Sequence, residues 1–423
     1  MNLFFKKFKM MWQDRNLRKR MIFVIAMLVI IRLLSAIPIP GVDTARLSQF
    51  LANNQFLGVL NVFSGGGLAT LSIIMLGVGP YITASIIMQL STIMSPRLKA
   101  LYQENGDAGR LKFAQYSRMI TVPLAAIQAF SLLIILKRQG IIADLTPFAY
   151  AVNLAVVIAG SMFLMWIGEL ISEFGIGNGV SLIIFAGIVS ALPSHVSQAI
   201  FAYDASQIPT ILAFTIVGLI VIAGVIFVSE AERLIPVTYT RQVRGSRVIG
   251  GTNTYIPIRL NQAGVIPIIF ALSILLFPQL IANLFINSSH TYLVAIAHVM
   301  SAFIANTWLY SLVYFILVVV FTFFYTAITF DPEQMATNLQ KSGAFIPGIR
   351  PGAPTSAYVS HILTRLTLFG SVFLGLIAVL PLIVRSITGI TSLALGGTAL
   401  LIVVSVVIDF VKRIDAQLTM KEY

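Results

Sequence analysis

The uncharged stretch from Phe56 to Pro96 constrains this chain more than any other part of its sequence. It is about twice as long as the roughly 20 apolar residues that one membrane-spanning helix needs. It does not suit two successive spanning helices, because Ser64-Gly65-Gly66-Gly67 lies where the first helix should be strongest. Each glycine costs about 1 kcal/mol of helix propensity, and irregular backbone is not tolerated where it faces lipid. The pattern predicts a short broken helix shielded inside the protein, followed by a full helix from about Leu71 to Met94. Such a shielded segment is typical of a channel or a transporter.

The composition places the whole chain in a membrane. Of its 423 residues, 58% are hydrophobic and only 10% are charged, which indicates a polytopic membrane protein and not a set of soluble domains. The chain has no cysteine, so disulfides and thiolate metal sites are excluded. The net charge of +13 suits a membrane protein whose basic residues lie in cytoplasmic loops.

Hydrophobic runs predict an all-α polytopic membrane protein with ten transmembrane helices. The predicted spans are residues 21–37, 71–94, 119–136, 150–170, 180–192, 210–228, 262–284, 307–330, 366–384 and 392–410. Ten helices divide into two five-helix halves, 1–195 and 196–423, which would have inverted topology. A weak internal echo supports this division, because Gly77–Ile82 in the second helix and Gly264–Ile269 in the seventh both contain a proline.

Basic residues predict the orientation. With the N-terminus inside, twenty-three of the 28 Lys and Arg residues fall in cytoplasmic segments and only four in outer loops. This is a strong positive-inside bias. Both termini are therefore predicted to be cytoplasmic.

The sequence contains no pattern typical of catalysis. Its four histidines show no metal-ligand spacing, and no Gly-x-x-x-x-Gly-Lys loop is present, so no catalytic residue, metal or cofactor is predicted. Any nucleotide-driven work would come from a partner. An intramembrane enzyme would need a nucleophile and a base on facing helices, and the sequence offers no such pair.

Few ionisable residues lie within the predicted helices. Glu169 and Asp409 are expected to form ion pairs near helix ends, whereas Arg32 would either snorkel outward or pair within the bundle. A secondary transporter for a small solute would fit the inverted layout, but it would need a coupling-ion or substrate site at the midplane. A pathway with an apolar middle instead suits a passenger that is a mostly neutral polymer.

Two predicted cytoplasmic loops, at about 229–261 and 331–365, are long. The first contains Arg241, Arg244 and Arg247 beside glycines, a pattern typical either of a solvated positive-inside loop or of a docking site for a large acidic partner. The second contains Arg350 between prolines and glycines, which would hold it at a rigid loop tip.

These features resemble the SecY family, the central subunits of bacterial protein translocons. The resemblance runs essentially from end to end. The motifs that carry it are IPIPGVD (37–43), NVFSGGGL (61–68), GPYITASIIMQL (79–90), WIGELISEFGIGNGVSLIIFAGIV (166–189), NQAGVIPIIFA (261–271), TAITFDPEQMATNLQKSGAFIPGIRPG (326–352), LTRLTL (363–368) and GGTALLIVVSVVIDFVKRIDAQL (396–418).

The resemblance implies a protein-conducting channel that passes unfolded secretory polypeptides across the membrane. Its waist would be a pore ring of aliphatic side chains, at Val78, Ile82, Val180, Ile184, Ile269 and Ile402. Valine at 78 and 180, where the family pattern has isoleucine, should loosen this seal slightly. The segment at about 57–70 would be a short re-entrant plug helix in the outer funnel, with Asn61, Phe63, Ser64, Gly65, Gly66 and Gly67.

The resemblance also implies a lateral gate and partners. The gate would open between the second and third helices and the seventh and eighth, and release transmembrane segments into lipid. Its polar residues would be Gln89, Gln128 and Asn261. The basic loop and Arg350 would dock the ATPase motor SecA or a ribosome on the cytoplasmic face. SecE and usually SecG would be membrane partners, in the bacterial plasma membrane.

Overall fold

The computed structural model describes residues 13–40, 61, 64, 66–68, 70–103, 106–138, 140–142, 146–201, 208–239, 242–244, 247–249, 253–285, 290–388 and 394–422. In chain order, the elements are α1 Arg15–Ser35, α2 Gly79–Met94, α3 Pro96–Gln103, α4 Gly106–Arg138, α5 Pro147–Phe174, α6 Gly179–Phe201, α7 Ile208–Glu230, β1 Glu232–Tyr239, β2 Gln242–Arg244, β3 Arg247–Ile249, β4 Asn253–Arg259, α8 Ile266–Phe285, α9 Thr291–Ala305, α10 Thr307–Thr329, α11 Pro332–Lys341, β5 Ala344–Phe345, α12 Ala353–Thr388 and α13 Ala394–Glu422. The fold is helical, as predicted, with a minor sheet.

The chain forms two compact units. The first takes in the described residues of Met1–Ile208, Ser273–Asn306 and Val406–Tyr423. The second takes in those of Pro209–Leu272 and Thr307–Ser405. The inverted halves at 1–195 and 196–423 stay a prediction.

Four helices are long and apolar enough to cross a membrane within the described part of the chain. They are Ala108–Lys137, Pro147–Phe174, Thr307–Lys341 and Ala353–Val384. Shorter apolar helices add Gly179–Ala191, Ile216–Glu230, Ile266–Leu275 and Thr291–Ala305. The chain is therefore a polytopic helical membrane protein, and its full count of ten crossings stays a prediction.

Helix α1 begins and ends earlier than its hydrophobic run predicted. Asp14 caps its N-terminus, because the Asp14 carboxylate accepts hydrogen bonds from the backbone N–H groups of Asn16 (2.8 Å) and Leu17 (3.3 Å). The helix ends at Ser35, so Arg32 lies in its last turn. Its charge there is favourable to the negative end of the helix dipole.

Helix α2 begins at Gly79, not at about Leu71 as predicted. The intervening residues form turns in which Gly77 has a φ of +61° and Leu71 a φ of +43°. Both values lie in the left-handed region, which an α-helix cannot use. Pro80 sits in the first turn of α2, where its missing N–H costs nothing, so the helix starts there.

The two long loops fold together into a layer of strands and helices that sequence patterns did not predict. Strand β1 pairs antiparallel with β4 and with β5, and β2 pairs with β3. Helix α11 lies within the second loop, and α12 begins at Ala353, well before the predicted start at residue 366. The prediction also missed helix α9 of the first unit, which lies between the predicted seventh and eighth spans and is not part of this layer. Buried apolar side chains explain the packing of this layer: Ile235, Val237, Ile258, Ala344, Ile346, Val359, Ile362 and Leu363.

Within the second unit, α10 packs against α12 at a glycine. A Cβ on Gly375 would lie only 2.7 Å from Cδ2 of Phe315, so the bare backbone lets that ring approach. Gly370 gives the same clearance to the carbonyl oxygen of Leu260, at 2.6 Å from the position of a Cβ. Small residues at helix contacts are the usual way that membrane helices come close together.

Candidate functional site

The described part of the predicted plug is a tight turn held by Ser64. The Ser64 hydroxyl donates to the carbonyl oxygen of Asn61 (2.9 Å) and accepts from the backbone N–H of Leu68 (2.9 Å). The N–H of Gly66 donates to the same Asn61 carbonyl (2.9 Å). Ser64 and Leu68 are completely buried, as expected for irregular backbone that must be shielded from lipid. Phe63 and Gly65 lie outside the described residues.

Two glycines have separate physical roles in this turn. Gly66 has a φ of +88°, which a residue with a Cβ adopts only with strain. A Cβ on Gly67 would lie 2.7 Å from Oγ of Ser72 and 3.1 Å from Cγ1 of Ile74. Gly66 thus permits a left-handed turn and Gly67 permits a close approach.

The residues after the turn are tied to the end of α1. The N–H of Ile39 donates to the carbonyl of Leu71 (2.9 Å), and the N–H of Ile73 donates to the carbonyl of Ile37 (3.0 Å). These bonds flank an antiparallel bridge between Pro38 and Ser72. The C-terminal side of the predicted plug is therefore anchored to a fixed strand-like segment.

Helix α5 fixes the same segment from another side. A Cβ on Gly160 would come within 2.1 Å of the carbonyl oxygen of Ile73, so only glycine allows this contact. The neighbouring Ser161 hydroxyl donates to the carbonyl of Gly77 (2.9 Å). These two contacts hold the backbone immediately before Val78. Sequence reasoning missed Gly160, although a Gly-Ser pair inside an apolar helix was a visible signal.

Four predicted pore-ring residues belong to the first unit. Val78 directly precedes α2 and is completely buried, and Ile82 in the first turn of α2 is 5% exposed. Ile184 on α6 is completely buried, whereas Val180 one turn earlier is half-buried. All four are aliphatic side chains at the starts of their helices.

A second glycine contact determines where α6 starts. A Cβ on Gly179 would lie 1.9 Å from the carbonyl oxygen of Gly168 on α5. The N–H of Gly179 donates to the Ser172 hydroxyl at 2.8 Å. This close contact sets the height of Val180 and Ile184 relative to α5, and sequence reasoning missed it.

The other two pore-ring residues belong to the second unit. Ile269 on α8 is 4% exposed and Ile402 on α13 is 2% exposed. Each is therefore a buried aliphatic residue. The ring as a set of six stays a prediction.

The three predicted gate residues have different surroundings. Nε2 of Gln89 donates to the Ser85 hydroxyl on the same helix (3.3 Å), and its Oε1 is buried with no hydrogen-bond partner among the described residues. Oε1 of Gln128 on α4 faces Gly79 on α2, 4.0 Å from the position of a Cβ. Asn261 closes its own turn before α8, since its Oδ1 accepts from the N–H of Gly264 (3.0 Å) and its Nδ2 donates to the Gly264 carbonyl (3.2 Å). Their mutual contact stays a prediction.

Arg350 lies on a tip whose backbone is held without help from its side chain. The N–H of Ile349 donates to the carbonyl of Ile346 (3.0 Å), and Gly348 between them has a φ of +82°. The Thr355 hydroxyl donates to the carbonyl of Arg350 itself (2.9 Å). Ile346 is buried in the core under the sheet, whereas the Arg350 side chain is exposed. The guanidinium is thus presented to solvent on a rigid support.

Two of the predicted docking arginines lie on a small hairpin. Arg244 on β2 stands opposite Arg247 on β3 in the antiparallel register. Arg241 lies outside the described residues.

The expected ion pairs at helix ends are confirmed. Nε of Arg118 on α4 lies 2.8 Å from Oε1 of Glu169 on α5. Nε of Arg413 lies 2.8 Å from Oδ2 of Asp409, one turn away on α13. Among the described residues, no group of three or more His, Asp or Glu could hold a metal ion.

Comparison with bacterial proteins gives long, full-length matches. The chain is 39% identical to the protein translocase subunit SecY of Mycobacterium tuberculosis over 440 residues, covering 96% of each chain. It is 42% identical to the corresponding subunit of Synechococcus elongatus over 427 residues, covering 98% of this chain and 95% of the relative.

Solved structures share the fold at low sequence identity. A protein-conducting channel has a TM-score of 0.65 and 19% identity, covering 94% of this chain and 91% of its own. A SecY structure described as having a plug domain that stabilises the closed channel and maintains a membrane seal has a TM-score of 0.64, 19% identity and the same coverage. The canine Sec61 of a ribosome–channel complex has a TM-score of 0.61, again at 19% identity, 94% and 91% coverage.

The profile of the SecY family matches residues 72–411, which include α2, α5, α6 and the sheet described above. The glycine-rich turn, the buried aliphatic residues at helix starts and the exposed Arg350 all lie in or beside this range. This chain belongs to the SecY family of protein translocase subunits.

Proposed function

We propose that this chain is the channel subunit through which unfolded secretory polypeptides cross a bacterial plasma membrane. Membership of the SecY family makes it a translocation-channel protein. The observation that carries the finer proposal is the buried, non-helical segment that leads directly into Val78 and Ile82. Membrane proteins tolerate such backbone where it lines or fills a cavity, and a plugged pathway is such a cavity.

The pore ring seals this pathway by apolar contact, without charge. Its members in the first unit are Val78, Ile82, Val180 and Ile184, and those in the second are Ile269 and Ile402. A narrow aliphatic constriction excludes water, so an ion would lose its hydration shell on entering it. A mostly neutral extended polypeptide pays a smaller penalty, because its own side chains displace the ring.

The plug, at about 57–70, reinforces the seal in the resting state. Its turn is held locally by Ser64, whereas Leu71–Gly77 is anchored to α1 and α5. Motion during transport would therefore be confined to the part before the anchor. The glycines keep its intrinsic helix stability low, so that displacement costs only a few kcal/mol.

A lateral gate releases apolar segments of the passenger into lipid. Gln89, Gln128 and Asn261 are the polar residues that we assign to its seam. Interhelical polar contacts in membranes contribute about 0.6–2 kcal/mol each, enough to bias a gate without locking it. Gln89 supports the assignment, since its buried Oε1 has no hydrogen-bond partner among the described residues.

A double variant tests the gate. Gln89→Leu with Gln128→Leu should change the stringency for signal sequences and the yield of membrane insertion. Asn261 is left intact because its side chain closes the turn before α8. If stringency and insertion both match the unaltered protein, these glutamines serve packing alone.

Energy for transport comes from the cytoplasmic side. The sequence has no phosphate-binding loop of its own, so the ATPase SecA or a ribosome would drive the passenger. Arg350 and the β2–β3 hairpin, with Arg241, Arg244 and Arg247, are the docking surface that we assign to them. The Sec61 relative of the ribosome–channel complex supports a ribosome partner. SecE and SecG are the proposed membrane partners, and both termini are proposed to be cytoplasmic.

Reconstitution tests the function as a whole. Purified complex in proteoliposomes, with motor and ATP, should protect an unfolded secretory precursor from added protease. A folded, cross-linked version of the same precursor is the control and should stay outside. A secondary transporter would instead move a small solute down an ion gradient without a motor, and that outcome would refute the proposal.

A further inference from the structure

The guanidinium of Arg32 lies against the backbone of the plug. Its Nη1 is 3.2 Å from the position that a Cβ on Gly66 would occupy, and the Ser190 hydroxyl on α6 is 3.4 Å from the same point. Three segments far apart in sequence therefore meet at one glycine. We propose that Arg32 is a positioning residue that holds the plug in its resting place through Gly66. This inference rests on the proposed function, because it assumes the proposed plug and assigns the residue that restrains it.

Arg32 lies in the last turn of α1, at the end of an apolar run, and its side chain is exposed. A charged side chain beside an apolar run is unfavourable in lipid, and such residues commonly mark functional contacts. Among the described residues, no Asp or Glu forms an ion pair with Arg32. The helix dipole at the end of α1 favours a positive charge, but a lysine would serve that purpose equally well. An arginine differs from a lysine here because its Nη1 reaches the plug backbone at Gly66, beside the hydroxyl of Ser190.

Gly66 is shaped to receive this contact. Its φ of +88° is a glycine conformation, and its missing Cβ leaves the space into which Nη1 and the Ser190 hydroxyl fit. Alanine at this position would be strained by its backbone and crowded by both groups. Gly66 thus allows the left-handed turn and also leaves room for the guanidinium of Arg32.

The contact also lies on the part of the plug that can move. Residues after Gly67 are anchored to α1 and α5 through Ile39, Ile73 and Gly160. Gly66 precedes that anchor, so its displacement requires that the backbone leave the guanidinium. Loss of Arg32 should therefore raise the displaced fraction of the plug while the anchor stays in place.

The absence of native cysteine makes a labelling experiment direct. Asn61→Cys puts one thiol at a half-buried position of the plug where the backbone carbonyl accepts the bonds of the turn, so the hydroxyl of Ser64 is kept, and this parent is assembled as the full complex in membrane vesicles. A membrane-impermeant maleimide, applied from the outer side without motor or precursor, then reports displacement. Arg32→Gln should raise the labelling rate about fivefold, which corresponds to roughly 1 kcal/mol. Arg32→Lys should be intermediate, and Arg20→Gln at the exposed start of α1 should match the parent.

A second variant separates the contact from general damage. Gly66→Ala in the same parent should also raise labelling, and the double variant with Arg32→Gln should raise it by less than the product of the two single effects, because the crowding against Nη1 is then gone while the backbone strain of alanine remains. Independent effects would instead multiply the two rates and refute an action through Gly66. Unchanged labelling in Arg32→Gln also overturns the inference, as does a loss of assembled complex in proportion to the rise in labelling. Translocation by the unaltered complex is measured in parallel. If it transports precursor while Arg32→Gln labels like the parent, the channel function stands and the role of Arg32 does not.

Discussion

Charge reversal at Arg350 should abolish export while leaving the protein intact. The side chain is exposed, and the loop tip is held by the turn at Gly348 and by the bond from Thr355 to the Arg350 carbonyl. None of these contacts uses the guanidinium. Surface substitutions of this kind change the free energy of unfolding by no more than about 0.5 kcal/mol. We therefore expect Arg350→Glu to insert, assemble with its membrane partners and melt like the unaltered complex.

The expected effect on docking is much larger. When an arginine becomes buried and hydrogen-bonded in an interface, removal of one partner of its charge pair costs about 2–5 kcal/mol. A loss of about 3 kcal/mol corresponds to a roughly 100-fold weaker complex with the cytosolic motor. Arg350→Lys should be intermediate, because lysine keeps the charge but cannot bind a carboxylate with two parallel hydrogen bonds.

Lys341→Glu is the matched control. Lys341 is also exposed, in the last turn of α11, where charge reversal opposes the helix dipole and costs about 0.3–1 kcal/mol. It should therefore lower stability more than Arg350→Glu does, yet retain export. The assays are motor affinity, precursor protection in vesicles and the melting midpoint of the purified complex. The reasoning is refuted if Arg350→Glu lowers assembled yield as much as it lowers export, because the residue would then be structural.

Three further predictions concern the membrane part. Replacing Ile82 and Ile184 together by Ser should wet the waist and let ions leak across planar bilayers; an unchanged conductance removes both residues from the seal. A cysteine pair at Gly66 and Ser190, where a Cβ on Gly66 would lie 3.4 Å from the Ser190 hydroxyl oxygen, should block translocation when oxidised and release it when reduced, since the strain of a side chain at Gly66 is the same in both states. Full transport by the oxidised pair contradicts a mobile plug. Gly160→Ala should destabilise the complex by about 1–3 kcal/mol through overlap with the Ile73 carbonyl. Gly218→Ala on α7, with nothing within 4 Å, is its control, and equal melting of the two variants would show that the anchor yields freely.

Local features of the sequence were enough to predict the membrane class and the broken segment. A long run without charge indicates that the segment lies in a membrane. Glycines in the middle of that run exclude a lipid-facing helix, whatever fold the rest of the chain adopts. The ion pairs of Glu169 and Asp409 could likewise be expected, because a charged side chain near the end of an apolar helix is stabilised by an opposite charge in any fold.

The family motifs in the sequence predicted which residues form the pore ring and the gate and predicted the docking role of Arg350, and these roles stay predictions. The structure adds the local reasons for their surroundings. Val180 and Ile184 depend on the contact between Gly179 and Gly168, and Arg350 depends on a turn packed over Ile346. Neither contact is visible in hydrophobic periodicity, because each requires a backbone atom from another segment.

Only the tertiary structure decided where α2 begins and what the long loops become. The residues from Leu71 onward were apolar enough for a helix, but the carbonyl of Leu71 accepts from Ile39 and the N–H of Ile73 donates to Ile37 instead. The loops read as solvated turns, yet alternate residues of β1 such as Ile235 and Val237 are buried against α12. The hydrophobic pattern of a segment indicates how much free energy its burial contributes. It does not identify the residues, distant in the chain, against which the segment packs. For that reason the sequence alone determined that the chain lies in a membrane and that its helix breaks at the glycines. Tertiary packing determined the bonds that anchor Leu71 and Ile73, the pairing of the strands, and the contact of Arg32 with Gly66.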